Sequence, residues 1–167
     1  MFDISDILLC NMLICYYNPV KIVYNNYYNN YSISEIITKD NIKNDIFLWC
    51  ILMGVFVLLY EFNRNYISLL IIIFLLIGII GVIFTEEKKN VICCYHTFFA
   101  FIAFLSINIF MIYHSYIKSN DILFYLFLIQ IVLIAFTLKN IKSKIFIYEC
   151  FLLLNFFIFY LYLHFIN

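Results

Sequence analysis

Residues 76–114 read LIGIIGVIFTEEKKNVICCYHTFFAFIAFLSINIFMIYH. An apolar run ends near Phe84. A five-residue polar break follows (Glu86, Glu87, Lys88, Lys89, Asn90), and a second apolar run of 24 residues extends from Val91 to His114. A helix that crosses a bilayer needs about 20 predominantly apolar residues. Two such runs joined by so short a polar link predict a membrane hairpin.

The rest of the chain has the same character. Its 167 residues are 66% hydrophobic and 12% charged, with a mean hydropathy of +1.01. Soluble domains are about half apolar and about a quarter charged, so this chain has too little polar surface to cover a water-soluble core. Ten basic and ten acidic residues cancel, which leaves no basic surface for nucleic acid. Gly, Pro, Arg and Ala are scarce, whereas Phe, Tyr, Ile, Asn and Lys abound. That codon bias points to an AT-rich genome, such as that of a large DNA virus, a low-GC bacterium or a protist. Small residues are rare enough that those remaining are informative. The acidic start, Met1-Phe2-Asp3-Ile4-Ser5-Asp6, has no positive segment before it and does not read as a cleaved signal peptide.

Working outward from the hairpin, Tyr66–Phe84 and Val91–His114 are its two spans. Before them lies Ile46–Tyr60, a short span with Trp49 and Tyr60 as interfacial anchors, joined to the hairpin by a turn at Glu61–Asn65. After them come Ile122–Leu138 and Ile145–Ile166. A first, more polar stretch, Ile4–Tyr17, reaches spanning length only if extended to Tyr24, past Asn11, Asn18 and Pro19. Residues 18–45 form one long polar segment with room for a short helix. The expected fold is an all-α, polytopic transmembrane helical bundle, 1–167 in a single domain, with six spans of which the first is weak. No ten-residue alternating pattern suggests a barrel.

Lysine placement orients the chain. Lys21, Lys39, Lys43, Lys88, Lys89, Lys139, Lys142 and Lys144 fall on one side, and Arg64 and Lys118 on the other. The positive-inside rule makes the first side cytoplasmic. The sequon Asn30-Tyr31-Ser32 would then be unused; glycosylation of Asn30 requires the opposite topology.

Within the bundle, Gly54, Gly78, Gly81, Ala100 and Ala103 are candidate helix-packing positions, because small residues let transmembrane backbones approach. His96, Ala100, Ala103, Ile107, Met111 and His114 recur on one helical face. His96 and His114 are 18 residues apart, roughly 27 Å along a helix, too far to share a metal. Gln130, Asn108 and Asn155 sit within spans and are expected to hydrogen-bond across helices. The six cysteines form no CxxC and lie at or within apolar runs. No cofactor or metal site is implied.

The candidate polar cluster comprises Ser34, Glu35, His96 and Glu149, all at the cytoplasmic end. A carboxylate one turn inside an apolar helix, as Glu149 is, needs a partner within the protein, and His96 and Lys144 match its depth. Ser, His and Glu could in principle hydrolyse a lipid, but no Gly-x-Ser-x-Gly or His-Glu-x-x-His supports it. His96, beside Tyr95 and Thr97, equally fits a simple interfacial residue. The absence of acidic residues at mid-span argues against a pump or coupled transporter.

Ile33-Ser34-Glu35 in a polar first loop, Gly54 in the next span, Gly78-Ile-Ile-Gly81-Val-Ile-Phe84, His96 with Ala100, and a last span opening with Glu149 together carry a resemblance. From about Tyr31 onward the chain resembles six-span proteins of the DRAM type, the damage-regulated autophagy modulators. It also resembles a prokaryotic family of six-span proteins. The sequence departs from the pattern in its short, polar first span and in Thr85, where proline is expected after Phe84. It departs also in a first loop that the lysines place inside. The resemblance implies an integral protein of endomembranes or the plasma membrane (a host membrane if viral) that modulates membrane or lipid processes. Its partners would be the bilayer, lipids or other membrane proteins. A membrane-embedded lipid hydrolase or remodelling enzyme, or a small channel or transporter, are the alternatives.

Overall fold

The computed structural model describes residues 3–27, 32–62, 64–85, 94–139 and 145–166. Asn30, the charged hairpin turn and Lys144 lie outside them. The described chain is helical: α1 (Ile4–Asn25), α2 (Ile33–Ile37), α3 (Asp40–Phe62), α4 (Tyr66–Phe84), α5 (Cys94–Lys118), α6 (Asp121–Lys139) and α7 (Ile145–Phe165). Among the described residues five helices are long and apolar enough to cross a bilayer: α1, α3, α4, α5 and α7. The chain is a multi-pass membrane protein.

Two helices, α1 and α3, extend beyond the sequence reading. α1 is one continuous 22-residue helix, because its polar residues serve the helix rather than interrupt it. The Asp3 side chain accepts from the Ile4 N–H at 2.7 Å, and Asp6 accepts from the Asp3 N–H at 3.0 Å, a reciprocal cap that draws both acids to the helix start. Asn11 and Asn18 each bond the carbonyl four residues back. α3 starts earlier than its apolar run, as the polar turn Asp40–Asp45 is already helical. α6, Asp121–Lys139, covers the expected span Ile122–Leu138.

The chain forms two compact units, Met1–Tyr27 with Ser34–Ser106, and Tyr28–Ile33 with Ile107–Asn167. In the first, α3 packs against both α1 and α4. Leu9, Met12, Cys15 and Val23 form the buried side of α1, while Ile71, Ile72, Leu75, Gly78, Val82 and Ile83 are buried on α4. A Cβ on Gly78 would lie 2.6 Å from the Ala103 backbone nitrogen and 2.9 Å from its Cα. Gly81 lies under the Phe99 ring, whose atoms occupy the place of a Cβ. A Cβ on Gly54 would meet only the flexible end of Leu76, at 3.1 Å.

In the second unit α6 packs on α7. Phe110, Met111, Leu123, Phe159 and Leu163 are fully buried. Phe110 is the centre of an aromatic cluster, stacked on Tyr160 with centroids 5.7 Å apart and edge-on to Phe156 at 5.9 Å and Phe159 at 6.4 Å. The α5–α6 turn is closed by Ser119 at φ 45°, a left-handed residue that ends α5. Asn120 then caps α6 by accepting from the Ile122 and Leu123 N–H groups at 3.0 and 3.2 Å.

Candidate functional site

The polar residues of the described structure concentrate at helix ends, where backbone groups lack intrahelical partners. His96 stands in the first turn of α5 and is buried. Its Nδ1 lies 2.9 Å from the Thr85 carbonyl oxygen and 3.3 Å from Thr85 Oγ1. A carbonyl can only accept, so Nδ1 carries the hydrogen. The Thr85 hydroxyl donates in turn to the Gly81 carbonyl at 2.6 Å. Thr85 is the C-cap residue of α4. His96 therefore reaches from the start of α5 to the end of α4 and covers a carbonyl that the helix leaves without a donor. An imidazole is suited to that position, because a helix C-terminus is the negative end of its dipole.

Glu149 does the converse in the other unit. It lies in the second turn of α7, and its Oε2 accepts from the Ile33 N–H at 2.6 Å. Ile33 is the first residue of α2, so its N–H is one that α2 itself cannot satisfy. Ser34 and Glu35 follow in α2 and are half-buried, with the Thr38 hydroxyl donating to the Glu35 carbonyl at 3.2 Å. His96 belongs to the first unit and Glu149 to the second, and each bonds backbone of its own unit.

A second polar group was not expected from the sequence, which places Glu61 in a turn between spans. Glu61 is instead in the last turn of α3 and fully buried. Arg64 approaches it, Nη1 to Oε1, at 3.8 Å. The same Nη1 donates to the Tyr60 hydroxyl at 3.2 Å, and the guanidinium lies 4.9 Å from the Tyr60 ring centroid. Ser68, in the first turn of α4, is also fully buried. An acid beside a span-ending Tyr, with Arg three residues on, is an i,i+3 pair. That spacing is the one sequence signal that could have found it.

At mid-helix the amides meet. Asn155 Nδ2 donates to Gln130 Oε1 at 2.8 Å and to the Leu126 carbonyl at 3.0 Å. This is the cross-helix hydrogen bond expected of both residues. His114 is buried against Phe110, with centroids 4.4 Å apart, and Tyr113. An open, shallow cleft at the α5–α6 turn is lined by Ser115, Tyr116, Ser119, Asn120 and Asp121, among others. Among the described residues no three of His, Cys, Asp and Glu come together as a metal-ligand set.

No family model, no curated protein and no solved structure matches this chain. Chemically, the arrangement supplies donors and acceptors to helix ends and crossings.

Proposed function

We propose that this multi-pass membrane protein works without catalysis, modulating its membrane by binding lipids or partner proteins. The observation that supports this reading is where the polar atoms go. His96 Nδ1 bonds the α4 C-cap carbonyl, and the Glu149 carboxylate takes the first N–H of α2. Both residues serve as helix caps drawn from a neighbouring helix. The resemblance to autophagy-modulator-type proteins favours an endomembrane or plasma-membrane setting.

The test combines stability with lipid chemistry. The pair His96→Ala with Glu149→Gln is expected to lower stability in mixed micelles by about 1–3 kcal/mol, the cost of leaving the Thr85 carbonyl without its donor and of exchanging a charged acceptor for a neutral one at the Ile33 N–H. The purified wild type is expected to leave phospholipid vesicles chemically unchanged, as read by mass spectrometry. Turnover by wild type that the double variant loses would overturn the proposal in favour of a lipid hydrolase.

A further inference from the structure

α1 packs on α3, and its buried side carries Leu9, Met12, Cys15 and Val23. Its opposite side carries Ile4, Ile7, Ile14 and Tyr17, which are 70%, 53%, 59% and 63% exposed. Exposed aliphatic residues on a transmembrane helix ordinarily face lipid. This side, however, also carries Asn11 and Asn18, both partly exposed. Each uses its amide nitrogen on its own helix, Asn11 Nδ2 to the Ile7 carbonyl at 2.9 Å and Asn18 Nδ2 to the Ile14 carbonyl at 3.0 Å. These carbonyls belong to the helical ladder, so the side chains gain little new partnership. Among the described residues neither Oδ1 has a partner.

Depth makes this arrangement costly. Asn11 is seven residues from Ile4 and Asn18 seven from Asn25, the two ends of α1. At 1.5 Å per residue both amides lie roughly 5 Å from the middle of the helix. Headgroups do not reach there, and hydrocarbon offers nothing to an amide.

The spacing identifies what does. Asn11 and Asn18 are seven apart, as are Ile7 and Ile14, and the two pairs interleave. That is the a/d pattern of a helix pair, in which asparagine at an a position fixes register and partner number. An amide is both donor and acceptor, so it is its own complement. A second copy inserted with the same orientation presents Asn11 and Asn18 at matching depths by symmetry. We infer that α1 carries a homodimerisation face, on which two copies pair in parallel with Asn11 against Asn11 and Asn18 against Asn18.

The experiment counts subunits of the full chain, labelled at a C-terminal tag, in dilute phosphatidylcholine vesicles by single-molecule photobleaching. Wild type is expected to bleach in two steps. Asn11→Leu with Asn18→Leu should raise the dissociation constant at least tenfold, and Asn11→Gln with Asn18→Gln should retain pairing. Phe101→Leu, at an exposed position of α5, should leave it unchanged. One-step bleaching of wild type would overturn the inference and point to a different protein as the occupant. Unchanged dimers in the double Leu variant would overturn it too. So would loss of helical circular dichroism in that variant, because the asparagines would then be holding the monomer together.

Discussion

In the first unit, a Cβ on Gly78 would sit 2.6 Å from the backbone of Ala103. In the second, α6 and α7 meet through an amide pair, Asn155 to Gln130 at 2.8 Å, and Phe110 is enclosed by the rings of α7. All three glycines of the chain, Gly54, Gly78 and Gly81, are in the first unit, and the second has none. Lipid tails are as apolar as the side chains, so association between helices in a bilayer depends on close packing and hydrogen bonds rather than on expelling water. The two units weight these differently. One brings backbones together where side chains are missing. The other keeps large side chains and joins them by ring geometry and polar pairing.

The comparison can be broken most sharply at Gly78. Gly78→Leu would drive a side chain into the Ala103 backbone, which cannot rotate away. The expected loss is about 3 kcal/mol, at the upper end for overpacking, measured by denaturing titration in micelles. A loss under about 1 kcal/mol would show that α4 and α5 do not need their close approach. The amide pair is the next largest. Asn155→Leu leaves Gln130 buried with its acceptor unused and should cost about 1 kcal/mol, while adding Gln130→Leu should recover most of it. Cross-helix bonds in membranes average about 0.6 kcal/mol in double-mutant cycles, so a much larger coupling would mean that this pair organises the second unit. Smallest is Gly54→Ala. Its new methyl meets only the Leu76 terminus at 3.1 Å, which can turn aside. Alanine also gains about 1 kcal/mol in helix propensity. A change within about 0.5 kcal/mol is expected, and a larger loss would extend the tight seam to α3.

The spans were legible because run length is a property of composition along the chain. α4 matches its apolar run, Tyr66–Phe84, at both ends. Run length failed where polar residues are helical for reasons of their own. Asp6 belongs to a capping box, and Asp40–Asp45 extends α3 before the membrane begins. The glycines were visible as small residues, but the meeting of Gly78 with Ala103 depends on how α4 and α5 are rotated about their axes. Periodicity along one helix does not contain that information. His96 and Glu149 stood out by depth alone, and depth does not distinguish a side-chain partner from a backbone one. Their bonds to the Thr85 carbonyl and the Ile33 N–H became apparent only once the helix ends were located. Glu61 was hidden because a charge next to turn residues ordinarily faces water.

That last residue has a consequence for how the protein is made. Glu61 and Arg64 are three positions apart, and both emerge from the ribosome before α4, Glu61 at the end of α3 and Arg64 in the turn after it. Their attraction needs only the end of α3 and the turn after it, and no later helix. The carboxylate therefore has a counter-charge before α5 has been synthesised. The α3–α4 hairpin can thus enter the bilayer with the buried Glu61 already beside its counter-charge, leaving the later helices to dock on a segment that brings its own ion pair.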